Sequence, residues 1–388
     1  MKPVIIADIS GLLQFIIDRR DLNPDRIQVQ LGLDGGQGIL KVCMLIYEQI
    51  DNCHSVEADR KRLKYSDGVS GRQAKLTSVK KLMVVAAAPG VQETWQNIKS
   101  ILEQLQIFSI NSCVISFDMK VQLILCGKQT AASKHPCPYC ECMAPFSCVC
   151  PRNTLGSLQI HHEIYIVNGR KKANAKLFNN CVNLPLLQGP HDLPVIEMLT
   201  FPELHVMTGT VGHLINNMMK GFPEGEKIIA DFMKDHNITW CVHQPGTFEG
   251  NQARKLLQYS PKLLQLAEQL PEPARARAEG FIEVIAAFSE VVKACFGQEL
   301  KPDYAIHIQT FESAFRRLSI SITPKSHLVF EQLAEILETK GSLTGLGRWS
   351  EQAMASVHHD MKIEGKTIPS LRKSSVNLSL STIQSMFE

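Results

Sequence analysis

Residues 27–33 (I-Q-V-Q-L-G-L) alternate apolar and polar positions and end at Asp34, the two-residue period of a half-buried strand. Gly35, Gly36 and Gly38 mark a turn, and 39–47 forms a second run rich in β-formers. A polar, basic loop covers 51–78, after which the apolar run 82–87 reads as a central strand. Over 89–106, Val91, Trp95, Ile98, Ile101, Leu102 and Leu105 recur near the 3.6-residue period and predict a helix. A fourth strand, 112–117, ends at Asp118. The predicted order is strand, strand, strand, helix, strand, with an acid closing the first and the fourth.

Past Cys150 the texture changes. Residues 151–190 are mixed, with a strand expected at 163–167, and helical periodicity then dominates. Helices are expected at 211–219, 227–234, 252–258, 273–295, 302–317, 324–338 and 350–361, with Thr323 before Pro324 and Ser350 before Glu351 as caps. The tail from Lys366 is rich in Ser and Leu, and no internal repeat is present. The N-terminal stretch 4–17 is apolar but broken by Asp8, without a small-residue cleavage site. No apolar run reaches membrane-spanning length, so no membrane partner is expected.

A chain of 388 residues that is 44% apolar can bury a large core in two or three domains. The formal charge of +3 is too mild to announce a polyanion partner. The local clusters Arg60-Lys61-Arg62 with Lys64, and Arg170-Lys171-Lys172 with Lys176, each read alone as solvated surface charge. Of the 12 cysteines, Cys137, Cys140, Cys142, Cys148 and Cys150 crowd one short stretch while the others scatter through apolar runs. That is not the density of a secreted disulfide framework, and a reducing, intracellular setting is expected.

Two features carry chemistry. The strand order is that of a ribonuclease-H-like core, in which the first and fourth strands are neighbours. Asp34 and Asp118 then project from adjacent strand ends, and two carboxylates so placed repel unless a cation lies between them. Such a pair suits Mg²⁺ or Mn²⁺ in phosphodiester chemistry. Taken singly, either acid reads as a turn residue or a helix cap. The second feature is Cys137-Pro-Tyr-Cys140, half of a tetrahedral zinc site. From the residues alone, Cys137, Cys140, Cys148 and Cys150 form one possible ligand set, and buried structural thiols are the plain alternative.

Asp118-x-Lys120 followed by Cys137-x-x-Cys140 resembles the second-acid region of the V(D)J recombinase catalytic subunit and of Transib-type transposases. Further segments resemble that family in the same order: Leu31 to Gly38, Pro202-Glu-Leu-His205 with Gly209, Gly250-Asn251-Gln-Ala-Arg254-Lys255, Thr323 to Phe330 with His327, and Gly347-Arg-Trp349-Ser350-Glu351. The resemblance covers roughly residues 30–365. It implies an α/β ribonuclease-H-like core with a large, mainly helical, zinc-stabilised insertion. It also implies DNA cleavage and strand transfer with Asp34, Asp118 and Glu351 holding Mg²⁺ or Mn²⁺. Cys137, Cys140 and His327 would bind structural Zn²⁺, and Asn251, Arg254 and Lys255 would contact DNA.

The expected organisation is an N-terminal segment (1–25), a first core part (26–136), a zinc-binding helical insertion (137–345), a final-acid helix (346–365) and a tail (366–388). A homodimer and a nuclear location are further expectations from the resemblance. Few residues precede Asp34, which leaves a fragment, a degenerate copy or a protein that relies on an accessory partner for targeting as the alternatives.

The sequence departs from the family at two places. The family reads S-E-x-x-x-E, its second glutamate being the ligand, and here that position is Ala355. Glu351 stands one turn, about 5.4 Å, away, so impaired catalysis is expected. The first of two zinc histidines falls on Ile322, leaving Cys142, Cys148, Cys150, His161, His162 or His205 to supply the missing ligand. The alternative function is a non-catalytic DNA- or protein-binding protein on a degenerate transposase scaffold.

Overall fold

The computed structural model describes residues 4–5, 8–35, 38–48, 83–107, 113–146, 150–242, 246–339 and 345–349. Glu351, Ala355, Cys148, the 60–64 basic cluster, the expected 350–361 helix and the tail lie outside the described residues. The chain divides into two compact units, with the change at Gly127/Lys128; Pro185–Gln188 returns to the first unit.

The first unit is mixed α/β. Its five-stranded sheet uses β1 (Val4–Ile5), β2 (Ile27–Asp34), β3 (Ile39–Glu48), β4 (Met83–Pro89) and β5 (Cys113–Ile115) in the order β1-β4-β3-β2-β5. β2, β3 and β4 pair antiparallel in sequence, while β5 lies parallel to β2. A parallel neighbour cannot be reached by a hairpin and needs a crossover. The helix α2 (Trp95–Leu105) lies on that crossover. It is capped by the Thr94 hydroxyl, which accepts from the Asn97 N–H, and it buries Ile98, Ile101, Leu102 and Leu105. The periodicity of 89–106 thus finds its helix, trimmed at the N-terminus. β2 lies between β3 and β5 and buries Val29, Leu31 and Leu33. Two helices escape the sequence reading: α1 (Ile9–Arg20), whose cap is Asp8, and α3 (Met119–Leu125), whose cap is Asp118.

The second unit is largely helical. The expected strand at 163–167 is instead the end of α4 (Leu155–Val167). Its first turn is fixed by a reciprocal Thr154/Ser157 capping box that satisfies two otherwise orphaned N–H groups, so helix runs through the β-branched stretch. A short α5 (Val195–Met198) follows, then α6 (Glu203–Gly221), α7 (Gly225–Asp235), α8 (Gly250–Tyr259), α9 (Leu263–Ala267), α10 (Glu272–Cys295) and α11 (Tyr304–Arg317). The expected helix 324–338 is two helices, α12 (Pro324–Glu331) and α13 (Leu333–Thr339), broken at the fully buried Gln332. An aromatic core of Phe288, Phe311, Phe315 and Phe330 joins α10, α11 and α12, with ring centroids 4.8 to 5.8 Å apart along the chain of contacts. Among the described residues, no helix is long and apolar enough to cross a membrane.

Candidate functional site

In the second unit, residues 139–141 lie antiparallel to 151–153. The Glu141 N–H donates to the Pro151 carbonyl, Asn153 N–H donates to Tyr139, and Cys140 faces Arg152. This narrow hairpin presents the Cys137-Pro-Tyr-Cys140 turn to α12. There Thr323 caps the helix start by accepting from the Ser326 N–H, which fixes His327 on the first turn. The His327 ring stacks on Phe146 at 4.4 Å, and its Nε2 lies 3.3 Å from Cys140 Sγ. The ligand atoms of Cys137, Cys140 and His327 all fall within 4.8 Å of one another, and none of the three residues exceeds 2% exposure. Tetrahedral zinc, with bonds of about 2.0 to 2.3 Å, spaces its ligand atoms about 3.5 to 3.8 Å apart. The buried trio can therefore hold a metal ion such as zinc with small adjustments.

The surrounding groups are arranged to aim these ligands. Lys128, 3% exposed, donates to the Cys137 carbonyl (2.8 Å) and to Asn179 Oδ1 (2.7 Å). Asn179 donates to Asn153 Oδ1, and the Asn153 amide donates to the carbonyls of Pro138 and Cys140. A buried polar chain that satisfies its members in this way specifies one geometry. Arg152 grips the other side, bonding Gln332, the Glu331 carbonyl and Glu335. Burial pushes the Cys137 thiol up, but the hydrogen bond with Cys140 and the Lys128 charge outweigh it and bring it below the usual value. Cys140 moves the opposite way, chiefly through its hydrogen bond with Cys137. Metal binding at thiols releases their protons, so occupancy of this centre would depend on pH.

Among the described residues, no fourth Cys, His or carboxylate joins the trio at that spacing. The local four-cysteine alternative is not formed with Cys150, whose Sγ sits 2.9 Å from Cys142 instead. His161 pairs with Glu141 at 3.1 Å, and Ile322 is half-buried.

In the first unit, the register decides where the acids lie. Leu31 pairs with Ile115, and the Ser116 N–H donates to Leu31. Asp34 closes β2, whereas the expected strand 112–117 stops at Ile115, so Asp118 lies three residues beyond β5 and opens α3. Both are half-buried. Asp118 Oδ1 accepts from the Val121 N–H at 2.7 Å as the cap of α3, so the helix-cap alternative is the one formed here. Asp34 directly faces the buried Lys41 across β2 and β3. Burial holds the Lys41 ammonium below its usual pKa while Asp34 pulls it back up.

Glu93 is the group that helical periodicity gave no reason to single out. It accepts from the Gly35 N–H at 2.6 Å and pairs with Lys120, and so ties the turn after Asp34 to the turn after Asp118. A Cβ on Gly35 would run into the Glu93 side chain, so a larger residue there would push that carboxylate off its Gly35 N–H bond. An open pocket of about 460 Å³ is lined by Gly35, Gly90, Glu93 and Lys120 among others. Asp34, Asp118 and Glu93 are not within mutual 4.8 Å spacing. This end of the sheet fits a divalent ion less completely than the thiol centre does.

The two motifs Pro202-Glu-Leu-His205 and Gly250-Asn251-Gln-Ala-Arg254-Lys255 turn out to be one packing unit. Arg254 pairs with Glu203, whose side chain is 1% exposed. Gly250 lies so close to Leu204 that an added Cβ would come within 2.5 Å of its methyl carbon. Lys255 donates to the Asn237 carbonyl at 3.0 Å, while Asn251 is exposed and accepts from the adjacent Gln252 N–H. His205 is half-buried on α6 and lies outside the Cys/His trio. By contrast Arg170, Lys171, Lys172 and Lys176 are all exposed and have no carboxylate partner among the described residues. Lys172 lines an open pocket with Gln129, Thr130 and Ser133.

No protein-family model matches the chain, and no curated protein matches it.

Proposed function

We propose that this chain is a DNA recombinase scaffold of the DDE-transposase type, with a ribonuclease-H-like core and a zinc-stabilised helical insertion. The observation that carries the reading is the parallel β2/β5 pairing, with Leu31 opposite Ile115, which puts Asp34 at the end of β2 and Asp118 on the segment that follows β5. The strand order, the two acids so placed and the buried Cys137/Cys140/His327 trio in the following unit support it. Asp34 and Asp118, with Glu351 from the expected 350–361 helix, would hold Mg²⁺ or Mn²⁺, which supplies Lewis-acid activation of a phosphodiester. The exposed cations at Arg170, Lys171, Lys172 and Lys176 suit phosphate contact. Asn251 and Lys255 are further candidates for DNA contact, while Arg254 has a structural task first. The expected homodimer, nuclear location and accessory targeting partner belong to the same proposal.

A second reading has its own support: a binding protein on this scaffold that no longer cleaves. Ala355 occupies the family's ligand position, and no third carboxylate among the described residues joins Asp34 and Asp118. Nicking of supercoiled plasmid in Mn²⁺ separates the two. Nicking by the wild type and not by Asp118→Ala supports the enzyme; neither nicking while duplex DNA is still bound supports the binding protein. Absence of both activities sinks the DNA reading altogether.

A further inference from the structure

We propose that Cys142 and Cys150 are a redox-active dithiol that closes to a disulfide and staples the hairpin carrying Cys140, independently of the metal centre. The backbone ladder sets up the pair. Glu141 N–H to Pro151 and Asn153 N–H to Tyr139 are its hydrogen bonds, and Cys140 faces Arg152 between them. One step outward on the same ladder, beyond the Glu141/Pro151 bond, Cys142 faces Cys150 at a position without ladder hydrogen bonds. There antiparallel strands bring their side chains closest.

The two sulfurs are 2.9 Å apart with no disulfide between them, well inside ordinary van der Waals spacing. A disulfide of about 2.05 Å needs less than about 1 Å of further approach. Cys142 is buried and Cys150 half-buried, so an oxidant in solution meets Cys150 first. Neither sulfur belongs to the Cys137/Cys140/His327 trio, so closing the pair removes no ligand from it.

The co-reactant is a hydroperoxide. The Cys150 sulfur attacks one peroxide oxygen, the O–O bond breaks, and water leaves from hydrogen peroxide to give the sulfenic acid. The Cys142 sulfur then attacks the Cys150 sulfur, the S–O bond breaks and a second water leaves. Both thiol hydrogens end in the two waters, and the two sulfurs are oxidised as the peroxide is reduced. Thiol reductants reverse the link. Its consequence is mechanical: the hairpin that aims Cys140 and seats Arg152 against the end of α12 becomes covalently closed.

The test uses the full, zinc-loaded chain, treated with limiting hydrogen peroxide, alkylated, and mapped by mass spectrometry while zinc content is followed. Cleavage after Glu141 separates Cys137 and Cys140 from the later cysteines. Cleavage after Met143 leaves its two fragments joined only when Cys142 is cross-linked. A Cys148→Ser background excludes that neighbour as the partner. The expected result is the Cys142–Cys150 link, about tenfold more abundant than any Cys137–Cys140 link, with zinc retained and the link absent in Cys150→Ser. Three results overturn the proposal: oxidation first at Cys137 and Cys140, zinc lost as Cys142 closes, or Cys142 and Cys150 alkylated as thiols while other cysteines oxidise. Mapping the chain with Cys142 and Cys150 intact keeps the test valid if Cys150→Ser folds poorly.

Discussion

At the thiol–imidazole centre three donors are almost fully buried and already meet within 4.8 Å, whereas the half-buried Asp34 closes β2 and the half-buried Asp118 follows β5, each next to a segment that lines an open pocket. The first is closed and surrounded by groups that only orient it: Lys128, Asn153, Asn179 and Arg152. That is how structural metal sites are built, since a buried ligand set without its ion leaves thiols and an imidazole poorly compensated. The second keeps solvent access and secures its turns through Glu93, Gly35 and Lys120, leaving charge repulsion to be relieved by Lys41 or by an incoming cation. Metal should therefore be part of the fold at one centre and a ligand at the other.

The largest test of that contrast is Cys140→Ser. Losing one thiolate from a buried site should abolish stoichiometric zinc and destabilise the second unit by about 4 kcal/mol or more. Zinc content and thermal unfolding with and without a chelator measure this. Equal stability of the wild type with and without zinc would reduce the centre to a set of packed thiols.

Next comes Arg254→Ala, which leaves the buried Glu203 carboxylate without its guanidinium. The expected loss is about 2 to 4 kcal/mol, reduced because Arg254 is 37% exposed, while Asn251→Ala stays near neutral. Chemical denaturation of both variants decides whether this motif is chiefly a clasp between α6 and α8. If Arg254→Ala folds as stably as wild type yet binds DNA weakly, the clasp gives way to direct phosphate contact.

How far the sequence carries depends on the kind of signal. The strand ending at Asp34 and the helix from Trp95 were legible because alternation and 3.6-residue periodicity are local, while the strand before Asp118 was found but stops early, at Ile115. The Thr323 cap that sets His327 was legible too. Glu93 was not, because its role comes from Gly35 and Lys120, brought to it by the fold. The 163–167 stretch misled in the opposite sense: β-branched residues suggested a strand, while the Thr154/Ser157 box had already started a helix upstream. Arg254 was expected on DNA, because sequence does not reveal that Glu203 is buried beside it. Cys142 and Cys150 sat in the same crowded stretch as Cys137 and Cys140, and only the ladder register separates the two pairs.

Asp118 allows its two tasks to be separated. Asn keeps an N-cap acceptor and Ala does not. Without divalent ions Asp118→Asn should match the wild type, while Asp118→Ala loses about 1 kcal/mol with its cap. Mn²⁺ should then stabilise only the wild type, by about 1 to 3 kcal/mol at 10- to 100-fold excess over Kd. Melting temperatures across a Mn²⁺ titration read both effects. Equal Mn²⁺ stabilisation of Asp118→Asn would remove Asp118 from the list of metal ligands.

The smallest expected effect concerns acid sensitivity away from either centre. His213 on α6 is half-buried, lies 3.0 Å from the Ser321 carbonyl and stacks over Phe315 at 6.2 Å. Burial holds its pKa below the usual 6.5, with the Ser321 carbonyl pulling the other way. The unfolded chain therefore binds a proton at His213 more readily than the folded one, and stability must fall as pH drops below about 6.5. Replacing it as His213→Gln removes that titration and should flatten the stability curve between about pH 6.5 and 5. Protons also compete for the ligands of the buried centre, so zinc content has to be followed at each pH. A flatter curve at constant zinc assigns the slope to His213. An unchanged slope that tracks zinc loss assigns it to the thiol centre, and makes that centre the acid-labile element of the second unit.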